Sequence, residues 1–270
     1  MDLTFLNEKA REVRKETFEI YKLSPGIRLA SSLSDVEIFV ALYYGKILNF
    51  DPKNPRWEGR DRFIISKGHG SISLYPILAD LGFFDKKELE RISREGSFLG
   101  DIPDTRIPGY ETINGSLGHG VGVACGIALA LKKKNSDSKV FILTGDGELD
   151  EGSIWESVMF AGHHKLDNLI LIVDNNKTSM LDRSKNILDL EPIEEKFSAF
   201  KWKAERVDGH DIVDVCELLK KMKEDKSGFP KALIADTIKG KGISQLENDA
   251  MSHSRVLNKE EIIEITEKLK

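Results

Sequence analysis

Two apolar runs separated by a potential helix most strongly constrain how this chain can fold. Residues 140–143 lead into Gly145-Asp146-Gly147, and residues 169–173 lead into Asp174-Asn175-Asn176. Continuous apolar runs of this length are typical of strands that are buried on both faces of a parallel sheet. Residues 152–164 can form the crossover helix of a right-handed βαβ unit between them. The sequence therefore predicts an α/β fold built on parallel strands.

Polar side chains follow both predicted strands. Because neighbouring parallel strands end at the same edge of a sheet, we expect Asp146 to lie beside Asn175 or Asn176. One carboxylate and one amide oxygen suit Mg²⁺ or Ca²⁺, and Gly147 would let a phosphate approach the backbone closely. The plainer interpretation is an ordinary strand, turn and helix with polar surface residues. The spacing and the flanking strands favour a metal and phosphate site.

The same stretch resembles a known family. Gly145-Asp146-Gly147 followed by Asn175-Asn176 is similar to the thiamine diphosphate signature, and the flanking residues narrow the resemblance to transketolase. Further segments in transketolase order are Ser-Lys-Gly-His-Gly at 66–70, Gly-Ser-Leu-Gly-His-Gly at 115–120, Asp-Gly-His-Asp at 208–211 and Lys-Gly-Lys-Gly at 239–242. The resemblance covers nearly the whole chain. It implies the diphosphate-binding domain, a doubly wound, mostly parallel sheet with helices on both faces.

Length bears on the domain organisation. A chain of 270 residues is long enough for one large domain, so we predict a single diphosphate-binding domain over residues 1–270, with an N-terminal helical extension at 1–24. A full transketolase is much longer. The resemblance therefore implies one subunit of a split transketolase, whose pyrimidine-binding domain is a separate C-terminal subunit. Two copies of each chain would form a heterotetramer.

The chemistry that the resemblance implies is transfer of a two-carbon ketol unit from a ketose to an aldehyde, with thiamine diphosphate and Mg²⁺ (or Ca²⁺) as cofactors. Carried over position by position, Asp146 and Asn176 would bind the metal through side chains, and Thr178 through its carbonyl. The cofactor would meet His69, Gly115, Ser116, Leu117, Gly145, Asp146, Gly147, Glu148, Asn176, Thr178 and His253. The residues assigned to catalysis or its support are His69, His253, Glu151 and Glu156.

Two positions depart from the transketolase pattern. Arg28 and Asp101 stand where the family has histidines that contact the donor sugar. A ring that can carry a proton near neutral pH is thus replaced by a fixed cation and by an anion. We expect Arg28 to bind a carboxylate or phosphate and Asp101 to bind a hydroxyl or amino group. These departures imply sugar or sugar-like substrates that are not the standard ones.

Composition limits the classes of partner. The formal net charge is -5 and 31% of the residues are charged, so neither nucleic acid nor an anionic membrane is favoured. The first residues lack the pattern of a signal peptide, and no apolar run reaches membrane-spanning length. Cys125 and Cys216 have no CxxC partner and are expected to be buried thiols. We therefore expect a cytoplasmic protein that acts on small molecules.

Periodicity and turn residues predict the remaining elements. Ser34 and Glu37 are spaced as a capping box that would open a helix reaching about residue 48, with Leu33 and Ile38 as a hydrophobic staple. Residues 96–117 are expected to form a long loop without regular structure. The other predicted helices are 3–23, a helix ending near 81, 118–134, 193–202, 211–223 and 259–270, and the other strands are 62–66, 203–208 and 232–237.

Two alternative functions are left open by the residues alone. The nearer is the α subunit of another thiamine diphosphate enzyme, such as a 2-oxoacid dehydrogenase or decarboxylase, which shares the Gly-Asp-Gly motif. The Lys-Gly-His-Gly and Lys-Gly-Lys-Gly segments favour transketolase over it. The other is a non-catalytic module that binds a cofactor or a partner. Of the remaining histidines, His119 is expected near the cofactor without carrying a proton, His163 and His164 are expected to close a helix, and His210 is interpreted as a turn residue.

Overall fold

Five parallel strands form the sheet at the centre of the computed structural model, which describes residues 2–247 and 249–269. They are Arg62–Ile65 (β1), Val140–Gly145 (β2), Leu169–Asn175 (β3), Lys203–Asp208 (β4) and Lys231–Asp236 (β5). Their order across the sheet is β1-β2-β3-β5-β4, and every neighbouring pair is parallel. Gly145 pairs with Asp174, so the two predicted metal-binding turns leave the sheet side by side.

Ten α-helices are described around this sheet. They are Leu3–Leu23 (α1), Leu29–Leu33 (α2), Val36–Tyr43 (α3), Leu74–Asp80 (α4), Gly120–Lys133 (α5), Gly152–His163 (α6), Ser184–Ile187 (α7), Ile193–Ala199 (α8), Ile212–Glu224 (α9) and Lys259–Lys268 (α10). Short 3₁₀ helices cover Gly68–Gly70, Lys86–Arg91 and Gly147–Asp150.

The two faces of the sheet carry separate hydrophobic cores. Along β2, Phe141 and Leu143 face the core formed with α1, α3, α4 and α9, whereas Val140 and Ile142 face the core formed with α5, α6 and α8. Both faces are buried, which explains why the central strands are apolar at successive positions. The predicted doubly wound α/β fold is confirmed.

Helix α1 was predicted as an N-terminal extension. Its buried Leu6, Val13 and Phe18 belong to the same core as α3 and α4. The helix therefore contributes to the main core through an amphipathic face. The prediction of one domain over residues 1–270 stays a prediction.

The predicted capping box is wrong. Ser34 lies before the N-cap residue of α3, which is Asp35, and no side chain caps that helix. The Ser34 hydroxyl instead donates to Asp174 Oδ2 at 2.7 Å, and Glu37 pairs with Arg14. Both side chains are used in long-range contacts that a local pattern does not reveal. The helix also ends at Tyr43 and does not reach residue 48.

Most other predicted elements match the structure to within a few residues. The segment from 96 to 117 contains no helix or strand, as expected for a loop. Cys125 and Cys216 are buried free thiols. The last predicted helix matches α10, although Lys270 at its end lies outside the described residues, as do Met1 and Asn248. Within the described ranges, no helix combines the length and the apolar character needed to cross a membrane.

Candidate functional site

The carboxyl ends of the strands border a cavity of about 450 Å³. Lys67 follows β1, Asp146 follows β2 and Asn176 follows β3, and all three line the cavity. This is the edge at which doubly wound sheets bind ligands. The other lining residues are Ser31, His69, Leu117, Gly145, Gly147, Glu148, Asp150, Glu151, Thr178, Ser179, Met180, Leu181, Ile187, Lys239 and His253.

The three predicted metal ligands, Asp146, Asn176 and Thr178, all line this cavity. Asp146 is buried, and Ser184 Oγ donates to its Oδ2 at 2.6 Å. Asn176 Oδ1 accepts from the Thr178 amide at 3.1 Å, and the Thr178 carbonyl accepts from Lys239 Nζ at 2.9 Å. Asn175 turns its amide nitrogen to Asp236 Oδ1 at 2.8 Å. Of the two asparagines, Asn176 therefore shares the cavity with Asp146 and Thr178.

The donor atoms of this group suit a hard cation. A carboxylate, an amide oxygen and a backbone carbonyl are the oxygen ligands that Mg²⁺ and Ca²⁺ prefer. No cluster of three or more His, Cys, Asp or Glu side chains with metal-binding geometry occurs among the described residues. The ligand set of Asp146, Asn176 and Thr178 is of a different kind, because it contains only one carboxylate. Burial raises the pKa of Asp146, while the hydrogen bond from Ser184 opposes that shift. A bound cation would favour the ionised carboxylate.

Gly147 keeps the backbone accessible beside Asp146. A Cβ added at this residue would lie 3.2 Å from Ser179 Cβ, which is closer than ordinary van der Waals contact. The absence of a side chain thus leaves room between the two loops that border the cavity. Exposed backbone of this kind can approach a phosphate group closely.

Two lysines place positive charge at the cavity. Lys67 Nζ lies 2.5 Å from Asp174 Oδ2 and 2.8 Å from Asp35 Oδ2, and all three side chains are buried. Burial would lower the pKa of Lys67, but the two carboxylates together raise it above its usual range. Burial lowers the pKa of Lys239 to about 8. Neither lysine is among the site residues predicted from the sequence, although both lie in glycine-containing motifs, at 66–70 and 239–242.

Asp174 connects the ends of several strands. Its carboxylate accepts hydrogen bonds from Ser34 Oγ and Asn176 Nδ2, both at 2.7 Å, and from Thr237 Oγ1. Burial opposes ionisation, but Lys67 and these donors hold the pKa of Asp174 below its usual range. Burial raises the pKa of its neighbour Asp35 well above the usual value. This network fixes Asn176 and Lys67 in relation to each other.

His69 and His253 stand next to each other at the cavity. Their ring centroids are 5.0 Å apart, and His253 Nδ1 lies 3.4 Å from Lys239 Nζ. Burial and the nearby positive charges of Lys67, Lys239 and Arg28 lower the pKa of His69 to about 3 and that of His253 to about 4. Both rings are therefore neutral at pH 7 and can either donate or accept a hydrogen bond.

The carboxylate of Glu148 accepts hydrogen bonds from backbone amides and from a serine. It accepts from the Gly118 amide at 2.8 Å, from the Gly145 amide at 3.3 Å and from Ser66 Oγ. Glu148 thus joins the end of β1, the end of β2 and the segment before α5. Its predicted contact with a cofactor stays a prediction.

The remaining predicted site residues differ in position. Glu151 lines the cavity, whereas Glu156 lies on the exposed surface of α6. Gly115 and Ser116 are exposed in the segment before α5 and lie outside the cavity lining. Arg28 is exposed at the N-terminus of α2. Asp101 accepts from Ser24 Oγ at 3.2 Å, which places it beside the loop that leads to Arg28.

Comparison with known proteins identifies one family. Residues 24–270 match the family model described as transketolase, thiamine diphosphate binding domain. A 6-deoxy-6-sulfo-D-fructose transketolase subunit, SqwG, from a Clostridium species is 39% identical over 257 residues, which are 94% of this chain and 92% of that protein. A subunit of apulose-4-phosphate transketolase from Actinobacillus succinogenes is 39% identical over 267 residues, which are 98% of this chain and 96% of that protein.

A solved structure of the same family has the same fold as this chain. The crystal structure of transketolase from Campylobacter jejuni superposes with a TM-score of 0.92 at 32% sequence identity and covers 100% of this chain. The chain spans 43% of the length of that transketolase.

Proposed function

This chain belongs to the transketolase family, and we propose that with a partner chain it transfers a two-carbon ketol unit from a ketose to an aldehyde. Within the family it corresponds to the N-terminal, thiamine diphosphate-binding subunit of split transketolases. Relatives of similar length are named as subunits, which supports a separate C-terminal partner. A cytoplasmic location stays a prediction of the sequence.

The observation that carries this proposal is the meeting of Asp146, Asn176 and Thr178 beside two lysines at one cavity. We infer that the three oxygen ligands hold Mg²⁺, or Ca²⁺, together with the diphosphate. Lys239 and Lys67 supply positive charge that suits the remaining phosphate oxygens. Gly147 offers its backbone to the same group. The residues present therefore fit a metal diphosphate.

Thiamine diphosphate supplies a thiazolium ring that can hold the electrons of the transferred two-carbon unit. The task of this chain is to bind and orient that group and the donor sugar. Leu117, Met180 and Ile187 give one side of the cavity an apolar lining, which excludes water from bound rings. His69 and His253 are neutral at pH 7, so we propose that they exchange hydrogen bonds or protons with donor hydroxyl groups. Glu151 and Glu156 retain the supporting role that the resemblance implies.

Replacement of Asp146 by Ala tests the cofactor site. We expect titration calorimetry of thiamine diphosphate into this chain mixed with its C-terminal partner to show tight binding only when Mg²⁺ is present. Asp146→Ala should weaken that binding by at least about 100-fold, because the metal loses its carboxylate ligand. Asp137→Ala, at an exposed position before β2, is the matched control and should bind as the wild type does. Equal binding by the Asp146 variant, or binding by wild type that ignores Mg²⁺, would contradict the proposed metal site.

The substrate is proposed to carry an anionic group. Arg28 lies close enough to His69 and His253 for its charge to depress the pKa of both rings. An exposed guanidinium can pair with a phosphate, sulfonate or carboxylate. The two relatives named above act, by their names, on a sulfonated and a phosphorylated sugar. We therefore propose a non-standard donor or acceptor, with Asp101 near its hydroxyl or amino groups.

A comparison of donors tests this specificity. The wild-type complex should use xylulose 5-phosphate poorly, and Arg28→His should raise kcat/KM for that donor by about 10-fold, because it restores the ring that the family uses. Arg11→His, on the exposed side of α1, is the control. Normal use of xylulose 5-phosphate by the wild type would refute the specialisation. Release of carbon dioxide from pyruvate without any aldehyde acceptor would favour a 2-oxoacid decarboxylase.

The surface of α5 and α6 supports self-association. Val123, Met159 and Phe160 are 43%, 47% and 40% exposed, and Gly122 and Gly126 leave the neighbouring surface of α5 open. An exposed apolar patch beside small residues is typical of a protein interface. We propose that this surface joins two copies of the chain within a heterotetramer.

A further inference from the structure

The Asp208-Gly-His-Asp211 motif forms the turn between β4 and α9. Asp208 Oδ1 accepts from the His210 amide at 2.9 Å, and Asp211 Oδ1 accepts from the Val213 amide at 2.9 Å, which caps α9. Gly209 packs directly on the residue after β5, since an added Cβ would lie 2.5 Å from Thr237 Cγ2. The turn therefore holds His210 against the segment that follows β5.

His210 makes a specific hydrogen bond to that segment. Its Nε2 accepts from the Ile238 amide at 2.8 Å, and its Nδ1 lies 3.0 Å from Glu37 Oε2. An acceptor of a backbone N–H must have a free lone pair, so Nδ1 carries the proton and donates to Glu37. The imidazole thus links the carboxylate of α3 to the backbone beside Lys239.

Glu37 binds a second group that holds the same segment. Arg14 of α1 donates through its terminal nitrogen to Glu37 Oε1, and its Nε donates to the Lys241 carbonyl at 3.2 Å. Burial opposes ionisation of Glu37, but His210 and Arg14 hold its pKa below the usual range. One buried carboxylate therefore orients two side chains, and each of them fixes the backbone on one side of Lys239.

The segment between these two contacts presents Lys239 to the cavity. Gly240 adopts a φ of 78° and its amide donates to the Ala30 carbonyl at 2.9 Å. The Lys239 side chain lines the cavity, and its Nζ donates to the Thr178 carbonyl at 2.9 Å. The backbone is therefore held at Ile238, Gly240 and Lys241 while the ammonium group faces the candidate site.

We propose that Glu37 is a positioning residue, which acts through His210 and Arg14 to fix the backbone on both sides of Lys239 and so sets the position of its ammonium group in the cavity. The effect on ligand binding rests on the proposed function, because Lys239 is proposed there to meet the diphosphate. The effect on the backbone does not. Two experiments separate these claims.

The first experiment measures amide hydrogen exchange in this chain without any ligand. Glu37→Gln keeps the shape of the side chain but leaves one acceptor oxygen, so its amide nitrogen must face the donor of either Arg14 or His210. We expect exchange in residues 238–243 to speed up about 10-fold, with β5 and α9 unchanged. Glu217→Gln, an exposed glutamate on α9, is the control and should change nothing. Unaltered exchange at 238–243 would overturn the proposal.

The second experiment is a double-mutant cycle on thiamine diphosphate binding by the two-chain complex. Glu37→Gln should weaken binding about 5-fold in the wild-type background and have almost no effect in the Lys239→Ala background, because it acts through that lysine. An equal loss in both backgrounds would show a merely structural role and overturn the proposal.

If the wild-type complex binds no cofactor, the proposed function fails, and the exchange experiment alone decides the role of Glu37. Should Glu37→Gln fail to fold, His210→Leu replaces it in both experiments, since it removes the acceptor of the Ile238 amide and leaves Arg14 with Glu37.

Discussion

At the scale of single residues, His69 and His253 give the protein a defined dependence on pH. In the folded chain their pKa values are lowered to about 3 and about 4, against an ordinary value of 6.5. Well above pH 6.5 both rings are neutral in the folded and unfolded states, and their full contribution to stability is present. As the pH falls below 6.5 the unfolded state takes up protons first. The free energy of unfolding should therefore decrease.

Urea unfolding of the chain without ligands measures this effect. We expect the free energy of unfolding to fall between pH 7 and about pH 5, a range above the ordinary pKa of most carboxylates. Replacing both histidines, His69→Gln with His253→Gln, should flatten the slope, whereas His164→Gln, at an exposed position, should leave it unchanged. An identical slope in the double variant would show that the two rings titrate normally in the folded state.

The sequence indicated which oxygen ligands to expect but not how charge is arranged around them. Asp146 and Asn176 could be named because both follow apolar strands, and parallel strands end at one edge of the sheet. Lys67 could not be linked to Asp35 and Asp174 in the same way. These three residues lie far apart in sequence, and only the folded sheet brings their charges together. The same holds for Glu37, whose partners Arg14 and His210 come from α1 and the β4–α9 turn.

At the scale of elements, the strands were the most predictable part. Both faces of the sheet are covered, so the strands β2 and β3 are apolar at successive positions and stand out from their surroundings. The order of the strands in the sheet could not be predicted in this way. Strand β5 lies between β3 and β4 although it follows both along the chain. That order depends on which faces the connecting helices cover, and local apolar patterns carry no information about it.

The start of a helix was wrongly predicted where a polar side chain contacts a residue that is distant in sequence. Ser34 and Glu37 have the spacing of a capping box, and a local interpretation assigns their hydrogen bonds to the helix backbone. In the structure Ser34 donates to Asp174 and Glu37 binds Arg14 and His210. The capping box of α10 shows the opposite case, since Asn258 is exposed and Asn258 and Glu261 bond to each other's backbone. Glu261 is half-buried, but it contacts Arg255 through its other carboxylate oxygen and so keeps one oxygen for the helix. Local patterns are therefore most informative where no buried charge competes for the same side chains.

At the scale of the whole molecule, the chain is expected to be incomplete as an enzyme. It spans 43% of the length of the Campylobacter jejuni transketolase, and the proposed partner chain would supply the remaining part of the proposed site. Glu151 lines the cavity and is the N-cap residue of α6, and Met159 of the proposed self-association surface lies on the same helix. Helix α6 thus connects the cavity at its N-terminus to the proposed self-association surface.

Charged substitutions on this surface should dissociate the assembly. Val123→Glu combined with Met159→Glu would place carboxylates in an apolar contact, where an unpaired charge is costly to bury. We expect light scattering of the two-chain complex to report four chains for the wild type and two for the variant. Ile263→Glu is the matched control, because Ile263 is 62% exposed on α10, away from this surface, and it should leave the mass at four chains. A double variant that keeps the wild-type mass would exclude this surface as the site of self-association. A wild-type complex of only two chains would show that the chain does not self-associate.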